Sequence, residues 1–122
     1  MKTAYKVAIV IGFILLMVSS ANAQFVSGNK LASKWRAYQR YDTGVGRNLD
    51  YGEGNYFMGY ITGVYDATYW LYNSPDGITV GQMCSIVGKY LDEHPEEWNE
   101  PAWVLVRLAL LEAFPKSKSK GE

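Results

Sequence analysis

Apolar positions recur at helical spacing in four stretches of this chain. The longest is Gly54–Asn73. Laid out at about 100° per residue, it places Phe57, Ile61, Val64, Thr68 and Leu71 on one line. Gly59, Gly63 and Ala67 form a second line, and Tyr65, Tyr69 and Tyr72 a third. Only Asn55, Thr62, Asp66 and Asn73 make a polar strip. A helix apolar round most of its circumference is expected to be buried. The small residues at 59, 63 and 67 are therefore read as core positions where another backbone approaches closely. Asp66, Asn55, Asn73 and the tyrosines argue against a membrane span.

Three more helices flank this one. Over Val26–Tyr41, Leu31, Trp35 and Tyr38 make one stripe, surrounded by Lys30, Lys34, Arg36 and Arg40. Asp42–Tyr51 has no apolar period and reads as a loop, with Asp50 and Glu53 as a capping-box-like pair before the central helix. The cluster Asn73-Ser74-Pro75-Asp76-Gly77 predicts a turn. Thr79 and Gln82 form a capping box for a third helix, whose apolar face holds Val80, Met83, Cys84, Val87, Tyr90 and Leu91. Asp92–Glu100 follows as a stiff acidic connection containing Pro95, and Pro101 suits the first turn of a last helix, Ala102–Phe114. Ala102, Val106, Ala109 and Ala113 line one side of that helix, and Val104, Leu108 and Leu111 the other. Covering both sides within one small domain is difficult, which predicts self-association. The expected fold is all-α, a small bundle of four main helices joined by short turns.

The ends of the chain narrow the picture. Lys2 and Lys6 precede an apolar run, Val7–Val18, and Ala21-Asn22-Ala23 has the A-x-A form of a cleavage site. The run is shorter than the roughly 20 residues a bilayer span needs. Residues 1–23 are therefore expected to be a secretory signal peptide, with cleavage before Gln24. Residues 24–115 form the folded domain and 116–122 a disordered charged tail. Removing Lys2 and Lys6 leaves ten basic against twelve acidic residues, a net charge near −2. That disfavours a nucleic-acid partner. One cysteine cannot form an internal disulfide, so the aromatic-rich core must suffice.

Candidate chemistry is sparse. The single Cys84 and single His94 lie on one helix, ten residues or roughly 15 Å apart, so they cannot touch as a nucleophile–base pair unless a second copy brings them together. Cys84 belongs to an apolar stripe and is read as core. Asp92, His94, Glu96 and Glu97 offer one imidazole and scattered carboxylates, a weak metal set. Asp66, on an otherwise apolar helix, is expected to pair with an arginine of the first helix. No catalytic residues, cofactor or metal are expected.

An ordered set of short matches adds recognition. These are Ser27-Gly28-Asn29 and Leu31; Gly59-Tyr60-Ile61, Gly63-Val64 and Asp66-Ala67; Ile78-Thr79-Val80-Gly81-Gln82; Lys89-Tyr90-Leu91 and His94-Pro95-Glu96; then Ala102, Leu105-Val106, Ala109-Leu110 and Ala113-Phe114-Pro115. With these residues the chain resembles the Rap/Tai family, immunity proteins paired with peptidoglycan amidase effectors of type VI secretion. The resemblance implies a periplasmic, all-helical, often dimeric protein without catalytic activity. It implies a cognate secreted amidase as partner, blocked at its Cys–His groove partly by a protruding loop between helices. Here that loop would be Asp92–Glu100, with Asp92, Glu93, His94, Glu96, Glu97, Trp98, Asn99 and Glu100 as the partner-binding residues. Many relatives carry paired cysteines, whereas this chain has Cys84 alone. A second reading, from a different class, is a small periplasmic stress chaperone that exposes apolar surface, or a family member without a toxin partner.

Overall fold

The computed structural model describes residues 2–18 and 25–117. It contains five α-helices: α1 (Lys2–Val18), α2 (Gly28–Asp42), α3 (Asn48–Thr68), α4 (Val80–Glu93) and α5 (Ala102–Ala113). Short 3-10 turns stand at Tyr69–Leu71 and Pro95–Glu97. The fold is all-α, and α2 to α5 make the bundle. Helix α1 lies within the predicted leader, and its residues 2–11 are exposed. Among the described residues no helix is long and apolar enough to cross a membrane. The predicted cleavage site lies outside the described residues, as does most of the predicted tail.

Local chemistry sets the helix ends. Ser27 caps α2, its hydroxyl accepting from the Lys30 N–H at 3.3 Å. Thr79 and Gln82 close the predicted capping box of α4, with reciprocal bonds of 3.1 and 2.8 Å. Helix α3 starts earlier than expected. Asp50 is its third residue, and its carboxylate reaches back to accept the Arg47 N–H at 2.9 Å. The other carboxylate oxygen takes the Arg40 guanidinium at 2.7 Å. One buried carboxylate thus joins the end of α2 to the start of α3. The chain between them turns at Gly44, whose φ of 74° suits a residue without Cβ.

The hydrogen bond from Arg40, followed by that from the Arg47 backbone, holds the Asp50 carboxyl down at about 2. A folded-state value below the unfolded one near ~4 gives stability that is complete above about pH 4 and lost as pH falls towards 2. Asp50→Asn is expected to flatten that acid limb in thermal melts taken at stepped pH. An unchanged limb would mean that other carboxylates dominate it.

The core forms where four helix stripes meet. Leu31 and Trp35 of α2, Phe57 and Ile61 of α3, Val87 and Leu91 of α4, and Leu105 and Val106 of α5 are all buried there. Trp35, Tyr38 and Phe57 pack ring on ring, with centroids 5.4 to 5.7 Å apart. Cys84 is fully buried in the same cluster, and burial pushes its thiol up to about 11, leaving it unreactive.

Three expectations are corrected here. Gly59, Gly63 and Ala67 are exposed, not core. A Cβ at Gly59 or Gly63 would meet nothing within 4 Å. The line Phe57–Ile61–Val64 faces the bundle, flanked by the half-buried Met58, Tyr60 and Tyr65, and the small residues lie across the helix from it. The close approaches use other glycines. At Gly88 a Cβ would stand 2.3 Å from the Trp35 ring, and at Gly28 2.5 Å from Leu105. Second, Asp66 is exposed and makes no ion pair among the described residues: Arg40 pairs with Asp50, roughly 24 Å back along α3, and Arg36 lies over Trp98. Third, Ala113 of α5 is exposed at the helix end, whereas Leu105 and Leu110 fill the core. The outer side of α5 is uncovered in the single chain: Trp103 is 46% and Leu108 40% exposed.

Candidate functional site

The acidic connection Asp92–Glu100 is fastened from both sides. Pro95 has no N–H, so the Leu91 carbonyl, four residues earlier, loses its helical donor. The Trp98 indole N–H replaces it at 2.8 Å. The proline that ends α4 therefore also creates the acceptor that folds the connection back on it. Arg36 of α2 covers the other side of the indole, its guanidinium 5.1 Å from the ring centre. Helix α2 grips the backbone as well. The Asn29 N–H donates to the Trp98 carbonyl at 2.7 Å, and the Gly28 N–H to the Glu100 carbonyl at 2.8 Å. The Ala102 N–H returns a bond to the Val26 carbonyl at 2.9 Å. Gly28 is required there, since a Cβ would fall 2.7 Å from the Trp98 carbonyl oxygen.

Side chains add a second set of ties. The buried Trp35 indole N–H donates to Asp92 at 3.0 Å. The Tyr90 hydroxyl donates to Glu97 at 2.8 Å, and burial together with that carboxylate raises its pKa. The His94 ring lies on the Tyr90 ring, centroids 4.2 Å apart, with Nδ1 3.1 Å from Glu96. The hydrogen bond to Glu96 raises the His94 pKa, so imidazolium is favoured and binds Glu96 more firmly as pH falls. The Glu96 backbone N–H, then His94, lower the Glu96 carboxyl.

These ties divide the predicted partner-binding residues into two groups. Asp92, His94, Glu97 and Trp98 are committed within the molecule. Trp98 in particular is half-buried and holds the connection in place; it does not project for a partner. Glu93, Glu96, Asn99 and Glu100 are exposed. The longest tie of this exposed group is Glu93 to Lys89 at 3.7 Å, a surface pair worth little. The result is a rigid backbone presenting carboxylates outward. Ligand atoms of His94, Glu96 and Glu97 come within 4.8 Å of one another and could hold a cation. Asp92, also considered for that role, is turned to Trp35 instead. Sequence reading missed Trp35, Tyr90 and Arg36 as supports of the site. The available signal was that a buried indole or phenol needs a polar partner.

No curated protein and no solved structure matches the chain. The family model of the Rap1a immunity proteins matches residues 27–115. That span begins at the Ser27 cap of α2 and ends just past α5, so it takes in the whole bundle and the acidic connection. With fold, connection and matched span in agreement, this chain belongs to the Rap1a immunity proteins.

Proposed function

We propose that this chain acts in the periplasm as the immunity protein of a secreted peptidoglycan amidase, and blocks the amidase's active-site groove with the connection between α4 and α5. The observation that supports this reading is a set of outward carboxylates, Glu93, Glu96 and Glu100, carried on a backbone already fixed by α2, Trp35 and Trp98. A pre-ordered loop loses little entropy on docking, so more of its contact energy appears as affinity. A groove that holds a catalytic histidine and amide donors offers a complementary field. The signal-peptide pattern at residues 1–23 supplies the route of export.

The test is charge reversal at exposed positions that leave the internal ties intact. Glu93→Lys with Glu100→Lys is expected to weaken inhibition of the amidase by about 100-fold or more, as for close interfacial charge pairs. Circular dichroism should stay unchanged. Undiminished inhibition by the double variant would reject this loop as the blocking element.

A further inference from the structure

The turn that follows α3 builds a concave surface that shares no residue with the acidic connection. It is an open cleft of about 520 Å³. Its floor is a stacked pair, Tyr65 and Tyr72, with ring centroids 5.8 Å apart and planes within 11°. Tyr69 and Trp70 line it too, at 60% and 56% exposure, with their rings nearly perpendicular. Both sit on the 3-10 turn Tyr69–Leu71, closed by a bond of 3.2 Å from the Tyr72 N–H to the Tyr69 carbonyl. Neither ring contributes to the core, so their placement is not explained by packing.

The polar groups in the cleft are ordered. The Thr68 hydroxyl donates to the Val64 carbonyl at 2.6 Å, so at 2.7 Å the Tyr72 hydroxyl must donate to Thr68. The Tyr72 oxygen is left as an acceptor. Tyr65 and Ser74 share a hydrogen bond of 2.6 Å, and the Asp76 carboxylate stands exposed beside them. The C-terminal end of α3 adds negative potential. The cleft is therefore rich in acceptors and disfavours anions; among the described residues Lys116 is the one cation lining it.

We propose that this cleft binds a short pyranose oligosaccharide. A pyranose ring has an apolar face of C–H groups and a rim of hydroxyl donors. The exposed Tyr69 and Trp70 rings suit the C–H face, and Tyr72, Ser74 and Asp76 suit the hydroxyls. The cleft volume lies within the roughly 300–1,000 Å³ usual for small-ligand sites, enough for two or three sugar units. An apolar or phosphorylated ligand would leave those acceptors unmatched. This inference does not depend on inhibition of an amidase.

The test is amide-shift NMR of the full folded domain, titrated separately with N-acetylchitotriose, cellotriose and maltotriose. At least one is expected to give saturable shifts confined to Tyr65–Ile78, with a Kd between ~0.1 and ~5 mM, the range of shallow sites. Which trisaccharide binds identifies the sugar class. Trp70→Ala is expected to weaken that binding at least tenfold, and Asp76→Asn severalfold, with the remaining spectrum unchanged. No shifts with any of the three at ~20 mM, shifts located elsewhere, or unaltered binding by Trp70→Ala would each overturn the proposal.

Discussion

Gly88→Val is expected to abolish cooperative folding, and Gly88→Ala to lower stability by about 2 kcal/mol, the size of typical overpacking. The added Cβ would stand 2.3 Å from Cε2 and Cζ2 of Trp35. The ring has nowhere to retreat. Tyr38 and Phe57 pack against it and its N–H is bonded to Asp92. Alanine is the better helix former by about 1 kcal/mol, so the clash must exceed that gain before any loss is seen. For a domain of this size the net change corresponds to roughly 8–16 °C in Tm. Gly59→Ala is the matched control. It lies on an exposed face with nothing within 4 Å, and is expected to raise stability by about 0.5–1 kcal/mol. Urea melts of both variants decide the matter. Equal effects at the two glycines would show that Gly88 is not a packing position.

Trp98→Ala is expected to cost about 3 kcal/mol and to release the connection from the bundle. It removes the indole donor that serves the Leu91 carbonyl in place of Pro95, together with the platform under Arg36. A buried acceptor without a partner adds its desolvation penalty to the lost packing. The amides of Gly28 and Asn29, bonded to the Glu100 and Trp98 carbonyls, should then exchange with solvent many times faster. Trp98→Phe keeps a ring for Arg36 and loses only the N–H, so about 1 kcal/mol is expected. Hydrogen exchange followed by mass spectrometry separates the two variants. Unchanged protection at Gly28 and Asn29 in Trp98→Ala would mean that the backbone bonds hold the connection without the indole.

Both predictions bear on function through the same chain of contacts. Gly88 makes room for Trp35, Trp35 holds Asp92, and Trp98 closes the other end. If the outward carboxylates block an amidase, loosening either anchor should weaken inhibition without touching a carboxylate.

Much of this arrangement was legible in the chain itself. Local spacing and end signals do not need tertiary contacts to be read. Thr79 and Gln82 mark the start of α4, Asn73–Gly77 the turn before it, and the stripe Phe57–Ile61–Val64 the inward face of α3. The acidic connection and its prolines were equally visible. Which glycines are crowded could not be read, because crowding depends on what crosses the helix, not on spacing within it. Gly59 and Gly63 have the regular period and face open space; Gly88 has no glycine four residues to either side of it and faces an indole. The pairing of Asp50 with Arg40 and the inward turn of Trp98 were decided in the same way, by groups brought together from ten or more residues apart or by a donor that a proline removed. Sequence period sets which side of a helix is apolar; only the assembled bundle sets what that side, and the side opposite it, will meet.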